Sequence, residues 1–119
     1  MGLEVKNAAD PAALPPALPV KLPDLLDYVA GSVVSRTLAR TNGGTLTLFA
    51  FDSGQGLSEH TSPFDAFVQV LDGSVDLTIG GKEIRASAGE TVLMPARVPH
   101  ALRAAGRFKM LLTLVRGPS

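Results

Sequence analysis

The chain has no cysteine. That removes a disulfide framework, a thiolate metal site and a cysteine nucleophile together. Net charge is also missing, with 11 basic residues against 11 acidic ones. Nothing in the overall electrostatics therefore draws the chain to nucleic acid or to an anionic membrane surface. Long apolar runs are absent too. The stretch from Ala12 to Val20 is broken by Pro15, Pro16 and Pro19, which makes it a poor signal-peptide core and no transmembrane helix. A cytoplasmic location is the expectation. No segment keeps a long helical period. Acids stop at Glu90, yet Arg97, Arg103, Arg107, Lys109 and Arg116 follow. We expect a solvated face whose acids come from elsewhere in the fold.

What is present points to one small β domain. A length of 119 residues fits a single domain with a core of its own. Five of the nine prolines fall in the first 23 residues. Proline fixes φ and lacks a donor, so residues 1–23 are read as an extended arm, packed on the barrel or on a partner. The domain proper spans 24–119. It opens with one or two helical turns over Pro23 to Ala30, ended by Gly31. From Ser32 the apolar period changes to two. Nine short strands follow, at 32–40, 45–51, 58–61, 66–71, 75–79, 82–86, 91–94, 98–103 and 108–115. Gly43-Gly44 and Gly80-Gly81 supply hairpin turns rather than a phosphate loop, since neither opens a helix. This is the pattern of an all-β sandwich or barrel.

Within that pattern, Ala66, Val68 and Val70 share one face and Phe67, Gln69 and Leu71 the other. The last strand is apolar on both faces, with Phe108, Met110, Leu112 and Leu114 on one and Leu111 and Val115 on the other. A strand buried on both faces needs a cover on each. The expected cover is a second copy of the chain, giving a homodimer, with the arm crossing over.

Chemistry has few places to reside. There are only two histidines, His60 and His100. Imidazole is a common ligand of transition metals and titrates near neutrality. Separated by 40 positions, the two can meet only through the fold. A Ser-His-Asp reading of Ser62, His60 and Asp65 crowds all three onto one turn with no oxyanion element.

The residues around the histidines carry a resemblance. Gly54, five residues, His60, and then Ala66, six residues, Gly73 resembles the first cupin motif, G-x5-H-x-H-x3-4-E-x6-G. Gly89, five residues, Pro95, one residue, Arg97, two residues, His100, three residues, Ala104 resembles the second, G-x5-P-x-G-x2-H-x3-N. The resemblance covers about residues 32 to 116. It implies the cupin double-stranded β-helix, a jelly-roll barrel. It also implies a metal such as Fe, Mn, Ni or Zn, held by three histidines and a glutamate. This chain departs there. His60 and His100 match two of the ligands, while Ser62 stands at the second histidine and Ala66 at the glutamate. Arg97 replaces a glycine and Ala104 an asparagine. Two imidazoles hold a divalent metal only weakly.

The expectation is a small-molecule-binding cupin. His60, Ser62 and His100 are the polar groups of an apolar pocket lined by Ala66, Val68, Val70, Val92 and Met94. The alternative is a metal-dependent cupin enzyme, an oxygenase or isomerase, in which water or Asp65 completes the shell. Met94 and Met110 are read as core or pocket lining. Epimerase-type chemistry without metal needs a histidine with an aspartate or tyrosine, and the lone Tyr28 precedes the barrel.

Overall fold

A computed structural model describes residues 13–116. The first twelve residues of the expected arm, and the last three of the domain, lie outside the described residues. Where one helical turn or two was expected over Pro23 to Ala30, a short 3-10 helix forms at Leu22–Leu25. Pro23 sits at its start, where the missing donor costs nothing. No capping side chain extends the turn.

Nine strands follow: β1 (Val33–Thr41), β2 (Gly44–Phe51), β3 (Gly56–His60), β4 (Phe64–Asp72), β5 (Ser74–Ile79), β6 (Lys82–Ser87), β7 (Thr91–Met94), β8 (His100–Arg103) and β9 (Phe108–Arg116). They build a five-stranded sheet in the order β1-β2-β9-β4-β7 and a four-stranded sheet in the order β3-β8-β5-β6. The pairs are antiparallel, so the two sheets close as a jelly-roll barrel. Alternation decides what fills it. Ala66, Val68 and Val70 of β4, Val75 and Leu77 of β5, and Phe108 and Met110 of β9 are buried in one cluster. Phe51 and Phe108 stack at the centre, with ring centroids 4.5 Å apart. Among the described residues no helix is long and apolar enough to cross a membrane.

The outer face of the five-stranded sheet carries a cover made by the chain itself. Lys109 Nζ donates to the Pro23 carbonyl at 2.6 Å, and Arg36 reaches the carbonyls of Leu25 and Ala13. Tyr28 donates to Asp72 at 2.5 Å while Arg107 and Lys109 lie over its ring at 5.3 and 4.9 Å. Burial, and then the Asp72 hydrogen bond, push the Tyr28 phenol well above its usual range. Beside it, the Arg107 guanidinium and the Gly31 and Ser53 amides hold the Asp52 carboxyl down to about 2.

These contacts also explain the late run of basic residues. Arg107 pairs with Asp52 at 2.8 Å, Arg116 donates to the Asn42 carbonyl, and Arg103 sits across from Asp76 in the β5–β8 register. The acids beside Arg107 and Arg103 come from earlier in the chain, whereas Lys109 and Arg116 meet carbonyl oxygens.

Candidate functional site

His60 and His100 meet at one end of the barrel. Their Nε2 atoms are 3.2 Å apart and their rings meet edge to face. His100 is 3 % exposed, whereas His60 is open to solvent.

A register shift brings them together. Leu57 of β3 pairs with Leu102 of β8, but His60 pairs with His100: three residues on one strand match two on the other. Without that bulge His60, an odd number of positions from Leu57, would face away from it. With it, Leu57 and His60 both point into the barrel. A bulge re-aiming a side chain beside a site is a recurrent use of this defect.

The loop before β8 places the second ring. Arg97 takes the left-handed conformation, φ 66°, at the position where the cupin motif has glycine. Its amide donates to the Ser62 carbonyl at 2.8 Å. This ties the β3–β4 loop to the β7–β8 loop and fixes the distance between the two histidine-bearing segments. Asp65 adds a second tie, because its Oδ1 accepts the Ala96 amide at 2.9 Å. Asp65 was expected in a loop, with a carboxylate able to complete a metal shell. It lies instead within β4, next to inward-facing Ala66 and therefore on the opposite face, and its carboxylate is engaged by the loop.

Each imidazole has a defined tautomer. His60 Nδ1 lies 2.7 Å from the Ser58 carbonyl and His100 Nδ1 3.1 Å from the Val98 carbonyl. A carbonyl can only accept, so both Nδ1 atoms carry the hydrogen. Each Nε2 is then left with its lone pair, and the two Nε2 atoms face each other at 3.2 Å. Such a pair attracts an electrophile: a proton, a metal cation or the N–H or O–H of a ligand.

Behind the pair lies a cavity of about 220 Å³. Its wall is formed by Leu57, Ser62, Ala66, Met94, Leu102, Met110, Leu112 and Leu114. Of the expected lining, His60, Ser62, Ala66, Met94 and His100 are brought together there. Val68, Val70 and Val92 are not. Val68 and Val70 are packed in the core further along β4, and Val92 packs against it from β7. The β9 residues Met110, Leu112 and Leu114 take their place. Ser62 Oγ accepts the Phe64 amide at 3.1 Å, which leaves its hydroxyl hydrogen to donate.

A larger depression, about 540 Å³, opens on the outer face of the four-stranded sheet. Two of its charged groups engage each other: Arg85 bonds Asp76 at 2.8 Å, and each shifts the other toward its charged form. The smaller cavity combines enclosure, apolar walls and two adjacent imidazole acceptors, so it is the better candidate.

The divalent centre implied by the cupin motifs does not fit these residues. It requires three histidines and a carboxylate, and Ser62 and Ala66 occupy two of those places. Among the described residues no group of three or more His, Asp or Glu side chains is placed to hold a metal ion.

Comparison with known proteins agrees with the fold. The cupin domain family matches residues 47–115. The solved structure of a conserved protein of unknown function from Streptococcus pyogenes is 35 % identical, with a TM-score of 0.84 over 89 % of this chain and 93 % of that one. A cupin superfamily protein from Desulfitobacterium hafniense is 29 % identical, with a TM-score of 0.82 over 87 % and 95 % of the two chains. A cupin 2 conserved barrel domain protein from Leptotrichia buccalis is 36 % identical, with a TM-score of 0.76 over 78 % of this chain and 45 % of that one. No curated protein matches the chain. The motifs, the barrel and these likenesses agree: the chain belongs to the cupin family.

Proposed function

We propose that the chain is a small-molecule-binding cupin whose site is the cavity behind His60 and His100. The observation that carries this reading is the chemistry of the cavity wall. It is apolar except for Ser62 and the two imidazoles. An apolar cavity of about 150 Å³ is enough to take up benzene. A volume of about 220 Å³ thus suits a ring or a short branched chain with one polar head. That head is a hydrogen-bond donor, placed to meet the two Nε2 lone pairs. Divalent metal is held only weakly, since two neutral imidazoles are half of the usual shell.

The test is direct. Methyl resonances of Met94 and Met110 are followed by NMR while small alcohols, phenols and amines with apolar bodies are added. Saturable shifts at both methyls, lost in Ala66→Phe, are expected, because that substitution fills the cavity. Absence of saturable shifts at both methyls would refute the assignment.

The reading includes a homodimer. Phe67 and Leu93 are cross-strand neighbours on the outer face of the five-stranded sheet, and Val115 pairs with the adjacent Asp65. All three are exposed, Leu93 by 46 %, and Phe67 and Leu93 lie on the two strands farthest from β1. A patch of this kind brought face to face by a two-fold axis is self-complementary. Light scattering at micromolar concentration should give twice the chain mass, falling to the chain mass in Phe67→Lys. A monomeric wild type would remove the dimer from the account.

A further inference from the structure

The cavity holds two groups that the reading above leaves without a role. Met94 and Met110 both line it, in company with the two imidazoles. Both are buried, Met94 at 2 % and Met110 at 0 % exposure. Met94 is the cross-strand partner of Ala66, the position where the cupin motif places a carboxylate. Ala66 ends at Cβ, so it places no carboxylate beside Met94 in the cavity wall.

We infer that His60, His100 and Met94 form a binding site for a soft monovalent metal ion, Cu(I), with Met110 at its floor. The inference rests on the same cavity being the functional site.

Three features lead to it. The first is donor type. Thioethers are poor ligands for hard cations but select Cu(I), and imidazole accepts copper readily. The second is geometry. With metal–nitrogen bonds of about 2.0 Å, nitrogens 3.2 Å apart subtend about 105° at the metal. That is the relation between adjacent vertices of a three- or four-coordinate site, and the Nδ1 contacts with carbonyls leave Nε2 as the available nitrogen of each ring. The third is charge. No acid lines the cavity, so a bound cation meets no compensating anion. The cost of burying an ion in a medium of low polarity rises with the square of its charge, which penalises a dication far more than a monocation. The missing carboxylate and the thioethers thus favour the same ion.

The ordinary role of a buried methionine is to fill space, and the test separates the two roles. Wild type, His60→Ala, Met94→Leu and Met110→Leu are titrated with Cu(I) under anaerobic conditions against a chromophoric Cu(I) chelator. Zn(II) serves as the comparison ion. Leucine keeps the volume and removes the sulfur, and each variant is first shown to melt as wild type does. Groups one step removed from a metal are worth about ten- to a hundred-fold in affinity, so loss of a direct sulfur ligand should weaken Cu(I) by at least about ten-fold. One Cu(I) per chain is expected, with Zn(II) much weaker, loss in His60→Ala, and a sulfur scatterer in the copper X-ray absorption spectrum that disappears in Met94→Leu. No Cu(I) retained against the chelator would overturn the inference. So would equal affinity in wild type and both leucine variants with nitrogen scattering alone. The small-molecule reading fails separately, by absent methyl shifts in metal-free protein.

Discussion

Phe108→Ala should destabilise the fold by about 3–5 kcal/mol, the usual range for emptying a fully buried aromatic site. Phe108 is completely buried and stacks on Phe51 with an interplanar angle of 13°. Phe51 in turn meets Phe49 at 5.8 Å. The two stacked rings are direct partners at the end of the β2–β9 ladder, so truncating one leaves the other facing a void in the buried core. Strands on either side are locked by their own ladders and cannot collapse far into it. A domain of this size has about 5–15 kcal/mol of stability in total, so the variant is expected to be marginal. Urea denaturation reads the effect as a lower midpoint at similar slope. A loss below about 1 kcal/mol would mean that the ring is not packed in the way described.

Gly73→Ala is the second large effect, expected to cost more than about 3 kcal/mol through backbone strain and overpacking together. Gly73 has φ 72°, and a Cβ there would stand 2.2 Å from the Arg107 carbonyl oxygen and 3.1 Å from Phe108. Both neighbours are fixed, one as backbone and the other in the aromatic stack. Gly89 provides the control. Its φ is 91°, but nothing lies within 4 Å of the added carbon. Gly89→Ala should therefore show only the conformational cost, about 1–2 kcal/mol. The difference between the two midpoints isolates the steric part. Equal losses would show that the close approach of the β4–β5 turn to the segment before β9 is absent.

Much of the barrel was legible because period-two alternation is a local signal. The alternation of β4 assigned Ala66, Val68 and Val70 to the interior, and all three are buried. Nine strands were expected and nine are present among the described residues. The site was less legible because it depends on register. The shift between Leu57 and His60 that turns His60 inward leaves no trace in spacing. The β4–β9 pairing, which places Leu114 opposite Ala66, joins residues far apart in the chain. Inward orientation alone therefore extended the cavity along β4 to Val68 and Val70, when it turns toward β9 instead. Asp65 was misplaced for a related reason. Two positions after Pro63 it read as loop, but β4 begins at Phe64, and one step of alternation sends its carboxylate away from the histidines. The arm was read from its prolines, but the Lys109–Pro23 contact at its end, and the Tyr28–Asp72 contact just after it, pair residues with no sequence signature.

We propose that Ser62 and Ala66 leave the position of the cupin metal as a two-histidine pocket. Metal analysis of protein purified without chelators or nickel resin tests it most directly, on wild type beside the double variant Ser62→His, Ala66→Glu. The account predicts Fe, Mn, Ni and Zn far below one equivalent in wild type, and about one equivalent in the double variant, whose four ligands complete the usual shell. A stoichiometric divalent metal in wild type that disappears in His60→Ala would contradict it.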